Sequence, residues 1–328
     1  MFNLYPFNAG IKGGYSLSSK NQDLSLNGTR SGEVERQGVL DIRALPDKEF
    51  LALWDAIVLE RETKDRLLLQ AILNFVLRPR VDRAELPLHG VILLVGVPGT
   101  GKTSLAKGLA ARTAETLKSM GEFRYIEVEP HALTSSALGR SQKAVTELLG
   151  STVAEYAAMG PLIVLLDEVE TLASDRSKMS LQANPIDVHR ATDAVLAQLD
   201  RLAAQNPALL FLATSNFPEA IDSAFLSRSD LIVTINVPGP AACQTILTST
   251  ILALAKTFPG LEGIVSDPAF EKAGEMCYGL DGRRIRKLVA TACTFSKETA
   301  INPNLLTAKD ILRAIEYEQK AAKAKEGK

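Results

Sequence analysis

The fold of this chain is decided by the stretch LLVGVPGTGKT at residues 93–103, where an apolar run leads into the pattern GxxxxGKT. An apolar strand followed by this pattern is typical of a phosphate-binding loop, whose glycines let backbone N–H groups turn towards phosphate oxygens. A simple glycine turn would explain the glycines but not the lysine and threonine that follow them. The predicted nucleotide-binding residues of the loop are Gly96, Pro98, Gly99, Thr100, Gly101, Lys102, Thr103 and Ser104.

Three residues at the end of this loop have predicted roles at a bound nucleotide. The ammonium group of Lys102 is expected at the β- and γ-phosphates, and the hydroxyl group of Thr103 is expected at a magnesium ion. The helix that begins near Ser104 directs the positive end of its dipole at the same phosphates. The sequence therefore predicts a nucleotide bound together with Mg²⁺.

Composition limits the class of partner. The 328 residues include 37 basic and 38 acidic side chains, so no overall positive field attracts nucleic acid or an anionic membrane. The longest apolar runs are far shorter than the ~18 residues that span a bilayer, and residues 1–10 lack the features of a signal peptide. Three cysteines without a CxxC pattern suit a reducing compartment. We expect a cytoplasmic protein, with membranes excluded and nucleic acid disfavoured as partners.

Three segments are predicted along the chain. Residues 1–45, rich in glycine, serine and asparagine, are expected to form a flexible extension. Residues 46–238 contain a linker helix and then apolar runs that alternate with helical segments, which predicts a nucleotide-binding domain with a parallel sheet covered on both faces. Residues 239–328 have helical patterns only, which predicts a small lid domain with a basic tail.

The predicted fold class is α/β, with a doubly wound parallel sheet of five strands followed by the helical lid. The five predicted strands are Val91–Val95, Tyr125–Val128, Leu162–Leu166, Leu209–Thr214 and Ile232–Ile235.

A second motif places two acids at a strand end. The apolar run Leu162–Leu166 is followed directly by Asp167 and Glu168. In a doubly wound sheet this position lies beside the phosphate loop, so Asp167 is expected to support Mg²⁺. Glu168 is the predicted general base that activates water for attack on the γ-phosphate. An acidic turn after a strand is the structural alternative.

Two polar residues follow the next predicted strand. Asn216 is placed to hold the attacking water and to sense the γ-phosphate, although a turn residue at this point needs no such role. Arg228 lies at a loop edge before the last strand and could contact a nucleotide held by an adjacent subunit, where its charge would stabilise the transition state. A surface salt bridge is the alternative for Arg228. The sequence thus predicts one sensor within the chain and one residue that acts across a subunit boundary.

The order of these motifs resembles an AAA+ ATPase: phosphate loop, Asp-Glu strand, asparagine strand, the Ile221–Arg228 region and a helical lid. The resemblance implies that the nucleotide is ATP, that the chain hydrolyses it, and that a lid arginine senses the γ-phosphate from the same chain. In the motif GLDGRR at residues 279–284, Arg283 matches that second sensor. Arg284 and Arg286 are the competing candidates, and a solvated lid surface is the structural alternative.

Within the AAA+ proteins the match narrows. The motifs LWDAIV at 53–58, GTGKTSL at 99–105, LDEVETL at 166–172 and AVLAQLD at 194–200 are similar to those of the pachytene checkpoint ATPases. That family remodels HORMA-domain proteins, and its bacterial relatives occur in anti-phage signalling operons. The resemblance covers residues 47–318, implies a homohexamer and places Ile57 and Val58 against the adenine. The first 45 residues are too short for the folded N-terminal domain of eukaryotic members, which favours a bacterial-type member.

The pore loop departs from the family pattern. Family members present an aromatic residue to the central channel after the second strand, but the corresponding residues 133–140, LTSSALGR, contain none. Ala137 and Leu138 are the predicted substrate contacts, with a weaker grip per residue than an aromatic ring. Residues 173–187 are a predicted second pore loop.

These features together predict a Mg²⁺- and ATP-dependent homohexamer that pulls on a terminal segment of a HORMA-domain protein and switches its conformation. Two other functions stay open on sequence grounds. A general AAA+ protein unfoldase is one, and the missing pore aromatic counts against it. A nucleotide-dependent nucleic-acid loader is the other, and the near-neutral charge counts against it.

Overall fold

The computed structural model describes residues 38–130, 140–173 and 185–326 of the chain. Its strands are β1 (Val39–Leu45), β2 (Val91–Val95), β3 (Phe123–Val128), β4 (Leu162–Leu166), β5 (Leu209–Ser215) and β6 (Leu231–Thr234). They form one sheet in the order β1-β3-β4-β5-β2-β6. Strands β2 to β6 run parallel, and β1 pairs antiparallel with β3 at one edge.

The α/β fold class is confirmed, and each of the five predicted strands forms. The sheet nevertheless has six strands rather than five, because Val39–Leu45 adds an edge strand. Sequence patterning assigned these residues to the flexible extension. Their apolar and charged side chains do not alternate cleanly. Their pairing with β3 joins residues 78 to 89 positions apart, from Leu45 with Phe123 to Val39 with Val128. The remainder of the predicted extension, residues 1–37, lies outside the described ranges.

Helices connect and cover the strands. The first group is α1 (Lys48–Ala56), α2 (Arg61–Leu77), α3 (Lys102–Thr116), α4 (Arg140–Glu147), α5 (Ala154–Ala158), α6 (Pro185–Gln205) and α7 (Ser223–Leu226). The second group is α8 (Pro240–Ala255), α9 (Pro268–Met276), α10 (Gly282–Cys293), α11 (Lys297–Ile301) and α12 (Ala308–Glu326). A π-helical turn at Leu148–Val153 separates α4 from α5. Within the described ranges, no helix combines the length and the apolar character needed to cross a membrane.

The central strands are apolar along almost their whole length because both faces of the sheet are covered. Every residue of β2, β4 and β5 is buried, as expected for strands without a solvent face. One face packs on a cluster that includes Leu149 and Leu199 of the α4–α6 region. The other face packs on α1, α2 and α3, with Trp54 and Leu109 among the buried side chains. This packing holds the carboxyl ends of the parallel strands at one edge.

The C-terminal helices enclose a separate apolar cluster. It includes Leu247 of α8, Phe270 of α9, Ile285 of α10 and Ile311 of α12, all of them fully buried. Pro240 begins α8, where its missing N–H breaks no intrahelical hydrogen bond. The helical character predicted after Pro238 is therefore observed, while the division into extension, nucleotide-binding domain and lid stays a prediction.

Candidate functional site

The phosphate loop joins the buried end of β2 to α3. Gly96, Gly99 and Gly101 have φ angles of 153°, 88° and 91°, which glycine adopts without strain. A Cβ atom on Gly96 would lie 2.2 Å from the Ile235 carbonyl oxygen, so only glycine allows the loop to pass so close to the end of β6. Helix α3 begins at Lys102, two residues before the predicted start at Ser104, because the left-handed Gly101 already caps it.

The other loop residues complete this turn. Pro98 lies at its exposed outer side, and the Thr100 hydroxyl group donates to the Val97 carbonyl oxygen at 3.0 Å. Gly101 lies against the linker, residues 57–60 between α1 and α2, because a Cβ atom on Gly101 would be 2.7 Å from Ile57 Cδ1. The loop is therefore held in shape by its own hydrogen bonds and by a neighbouring apolar side chain.

The ammonium group of Lys102 is held entirely by neutral oxygens. Its Nζ donates to the Gly96 carbonyl oxygen at 2.8 Å, to the Val97 carbonyl oxygen at 3.0 Å and to Asn216 Oδ1 at 2.8 Å. The residue is only 5% exposed. Burial lowers the pKa of Lys102, while nearby carboxylates, with Glu170 the strongest, act in the opposite direction. The Lys102 ammonium group thus lies at the end of the phosphate loop, and a phosphate oxygen could replace any of its three acceptor oxygens.

Asp167 and Thr103 meet at the end of β4. The Thr103 hydroxyl group donates to Asp167 Oδ1 at 2.8 Å, and the Thr214 hydroxyl group donates to the same carboxylate oxygen. Thr214 belongs to β5, which lies between β2 and β4 in the sheet. The structure therefore brings the two residues predicted for Mg²⁺ into direct contact. Thr214 is an additional residue of this site.

Glu168 and Asn216 also contact each other. Asn216 Nδ2 donates to Glu168 Oε1 at 3.1 Å, while its Oδ1 accepts from Lys102. Glu168 has φ 52° and ψ 52°, a left-handed conformation that is uncommon for a residue with a side chain. Its N–H donates to Thr214 Oγ1 at 3.1 Å, and its carbonyl oxygen accepts from Thr171 Oγ1 at 2.9 Å. Two hydroxyl groups thus hold the backbone that presents the Glu168 carboxylate.

Glu170 is a further residue of this site, and no sequence pattern assigned it a role. Its Oε1 accepts a hydrogen bond from the backbone N–H of Asn216 at 3.0 Å. It also exerts the strongest carboxylate influence on Lys102. The signal was present in the motif LDEVETL, where an acid follows Glu168 two residues later, but only the folded chain shows that it reaches the β5 end.

A cavity of 560 Å³ lies next to the loop, between the linker and α10. Its lining includes Ile57, Val58, Gly99, Thr100, Gly101, Ser104, Pro238, Ile246, Arg283 and Arg286. The cavity therefore combines apolar side chains from the linker and α8 with the polar backbone of the phosphate loop. Both residues predicted for the adenine lie in this lining.

The three arginines of α10 differ in their surroundings. Arg283 lines the cavity, and its backbone N–H donates to the Gly99 carbonyl oxygen at 3.3 Å. Arg284 instead pairs with Asp281, Nε to Oδ2, at 3.2 Å. Arg286 lines the cavity and donates to the Ala56 carbonyl oxygen at 2.8 Å. This placement favours Arg283 over Arg284 and leaves Arg286 as its competitor.

Arg228 lies outside this group and contacts its own chain. Its Nε and Nη2 donate to the two carboxylate oxygens of Asp200 at 2.9 and 2.7 Å, and its Nη1 donates to the Ala224 carbonyl oxygen at 2.7 Å. The salt bridge expected as the alternative role therefore exists. Ala137 and Leu138, the predicted pore contacts, lie outside the described residues, as does most of the predicted second pore loop.

The fold and the site define the chain as a P-loop nucleotide-binding protein of the α/β class. Residues 92–237 match the model of the family described as "ATPase family associated with various cellular activities (AAA)". CD-NTase-associated protein 6 of Pseudomonas aeruginosa is 59% identical over 83% of this chain and 89% of its own length. A pachytene checkpoint protein 2 homolog of Oryza sativa subsp. indica is 32% identical over 88% of this chain and 67% of its own.

Solved structures show the same fold. The structure of C. elegans PCH-2 matches with a TM-score of 0.70 at 26% identity, over 88% of this chain and 78% of that one. A chain in the E. coli MS115-1 HORMA:CdnC:Trip13 complex matches with a TM-score of 0.64 over 85% and 95% of the two chains. At 19% identity that second match is evidence for the fold alone. The chain belongs to the AAA ATPases, in the family of the pachytene checkpoint protein 2 homologues and CD-NTase-associated protein 6.

Proposed function

We propose that this chain is an ATP-driven remodeller of a HORMA-domain protein in a bacterial anti-phage signalling system, and that it acts as a homohexamer in the cytoplasm. Family membership supports the remodelling activity, and the identity to CD-NTase-associated protein 6 supports the signalling context. The observation that carries the proposal is the linked group Lys102–Asn216–Glu168 beside the Thr103–Asp167 pair. It supplies the groups that ATP hydrolysis needs.

The residues present fit ATP with Mg²⁺. Thr103 and Asp167 offer the oxygen ligands that Mg²⁺ prefers. Among the described residues, no group of three or more His, Cys, Asp or Glu side chains could form an all-protein metal site. This donor set suits an ion that keeps water molecules and phosphate oxygens among its ligands. When bound, Mg²⁺ neutralises charge on the phosphates of ATP.

Each side chain then has a defined task. Lys102 exchanges its carbonyl and amide acceptors for phosphate oxygens, which releases Asn216 Oδ1 to bind a water molecule. Asn216 Nδ2 keeps the Glu168 carboxylate oriented, and Glu168 accepts the proton of the attacking water. Glu170 holds the backbone of Asn216 and so positions its amide group. Arg228 of one subunit stabilises charge at the nucleotide of its neighbour.

The remaining assignments extend the proposal. Ile57 and Val58 pack against the adenine, and Arg283 binds the γ-phosphate from the lid, residues 239–328. The nucleotide-binding domain is residues 46–238 together with strand β1, Val39–Leu45, which adds an edge to its sheet. Ala137 and Leu138 contact the extended substrate segment in the central pore.

The proposal is tested with a purified HORMA-domain protein as the candidate partner. ATP turnover of the purified chain and the conformation of the partner are measured together, with and without nucleotide. We expect the partner to stimulate turnover and to change conformation only when ATP is hydrolysed. The matched control is Glu168→Gln, which should bind ATP and the partner without converting it. Neither stimulation nor conversion by the unmodified chain would contradict the proposal.

Threading through the pore is tested at Leu138. Leu138→Asp introduces a strongly hydrated charge that resists desolvation against a peptide. Partner-stimulated turnover and partner conversion should be lost, whereas unstimulated turnover should persist because the loop contacts substrate rather than nucleotide. Leu138→Met is the matched control and should keep conversion. Normal conversion by Leu138→Asp would refute threading and favour a nucleotide-switched binding platform.

A further inference from the structure

Three basic side chains converge on Asp200 in the last turns of α6. Arg228 donates to both of its carboxylate oxygens, at 2.9 and 2.7 Å. Arg83 Nη2 and His89 Nε2 lie 3.7 and 3.4 Å from Oδ1. Arg83 Nη1 also donates to the Asp200 carbonyl oxygen at 3.1 Å. Asp200 is thus fixed from several sides, and it is the acid that holds Arg228.

The pairing fixes the plane of the Arg228 guanidinium group. A guanidinium group has five N–H donors. The two bonds to Asp200 and the bond from Nη1 to the Ala224 carbonyl oxygen use three of them. One N–H on each Nη atom is left to meet an acceptor from outside this group of residues. Arg228 therefore does not have to leave Asp200 in order to contact a phosphate oxygen.

The electrostatics of the pair support a lasting contact. The hydrogen bond from Arg228 lowers the pKa of Asp200, so the carboxylate stays ionised well into the acidic range. The same hydrogen bond raises the pKa of Arg228. Bidentate pairs of this kind combine charge with a fixed geometry, whereas a single exposed ion pair does not.

We propose that Asp200 is the positioning residue that aims Arg228 at the nucleotide of the neighbouring subunit. This inference rests on the proposed function, because it requires Arg228 to act across a subunit boundary. Without the carboxylate, the long side chain would sample several rotamers and present its charge less precisely. The competing explanation is a structural ion pair that ties α6 to the loop before β6. Mixed assemblies distinguish the two.

The experiment uses two inactive chains that complement each other. The donor chain carries Lys102→Ala, so its own nucleotide site is inactive but its Arg228 is intact. The acceptor chain carries Arg228→Ala, so its site is intact but its neighbour must supply the arginine. We expect mixing to restore ATP turnover, with the composition of the mixed rings measured by native mass spectrometry.

Asp200→Asn is then introduced into one chain at a time. In the donor it should reduce the restored turnover about tenfold or more, since small misplacements of a catalytic group cost up to ~10²-fold. In the acceptor it should have no such effect, because that chain has no Arg228 to position. Asp200→Glu in the donor keeps two carboxylate oxygens and should restore more turnover than Asp200→Asn. Arg83→Ala in the donor is the matched control, because it removes a neighbouring cation and leaves the Arg228 pair in place.

Each outcome bears on the inference. Donor chains with Asp200 and with Asn at this position that restore equal turnover would overturn the inference. Equal loss from the donor and the acceptor would also overturn it, because the acceptor has no Arg228 and the loss would then come from other contacts of Asp200, such as those with Arg83 and His89. A donor Asp200→Asn chain that fails to enter mixed rings would also overturn it, since the pair would then serve assembly. Mixed rings without any restored turnover, before Asp200 is changed, would instead contradict the trans role of Arg228 in the proposed function.

Discussion

Two of the cations proposed to act on ATP, Lys102 and Arg228, are held in opposite ways. Lys102 is buried and bonded to two carbonyl oxygens and one amide oxygen, all of them neutral. Arg228 is bonded to the carboxylate of Asp200, with 22% of its side chain exposed. The Arg228–Asp200 contact joins opposite full charges through two N–H···O bonds, whereas the Lys102 ammonium group meets only the partial charges of carbonyl and amide oxygens. A cation on neutral oxygens exchanges them readily for phosphate, whereas a cation on a carboxylate keeps its partner and its direction.

The largest expected effect comes from removing Arg228. Arg228→Ala should lower ATP turnover by roughly 10³–10⁵, the contribution of an arginine finger in related reactions. Nucleotide affinity should change little, because the binding residues lie in the same chain as the site. Phosphate release and nucleotide binding would be measured on one preparation, with Arg228→Lys as the control that keeps the charge but loses the two-oxygen pairing. Unchanged turnover in Arg228→Ala would show that Arg228 does not act on the nucleotide.

Glu168→Gln tests the group linked to Lys102, which is proposed to act within a single chain. It should lower turnover by about 10²–10⁴ and retain bound ATP, because the amide group keeps the size of the carboxylate but cannot accept the proton. Filter binding of labelled nucleotide and phosphate release would report the two quantities. Turnover at the wild-type rate would exclude Glu168 as the base.

Asn216→Ala should have a smaller effect, because Asn216 acts through Lys102 and Glu168. Removing one aligned hydrogen-bond donor costs about 10²–10³-fold in turnover, and we expect the lower end of that range for Asn216. In combination with Glu168→Gln the losses should not add, since the two residues share a hydrogen bond. Kinetics of the two single variants and the double variant would measure the coupling, and full additivity would argue against a linked group.

The smallest expected effect is a pH dependence of stability from His89, which lies beside Asp200 together with Arg83 and Arg228. Burial, with help from Arg83, lowers the pKa of His89 from its ordinary 6.5. Below pH 6.5 the unfolded chain therefore binds more protons at this residue than the folded chain does. Its contribution to the free energy of unfolding is present above that pH and is lost as the pH falls through the lowered pKa.

Urea unfolding at pH 8 and at pH 5.5 would measure this contribution. The wild-type chain should lose more free energy of unfolding between the two values than His89→Gln does. An identical loss in both chains would show that His89 is not the group that titrates.

Particular residues show how much of the fold and of the site could be predicted from the sequence. The runs VILLV, LIVLL and LLFLAT predicted the buried strands, because a strand covered on both faces must be apolar at nearly every position. The pattern GxxxxGKT predicted the positions of Lys102 and Thr103 at the loop, because this pattern too consists of neighbouring residues. Val39–Leu45 was missed, since its strand exists only through pairing with β3.

The sequence by itself determined the parallel sheet, the phosphate loop and the acids at the end of β4, because each depends on the identity of neighbouring residues. Only the tertiary structure decided that Glu170 holds Asn216, that Arg283 rather than Arg284 lines the cavity, and that Asp200 holds Arg228. The first and the last are contacts between residues 46 and 28 positions apart, and the second is a choice between adjacent arginines on one helix. Local patterns carry no information on them, because such contacts depend on how separate elements pack.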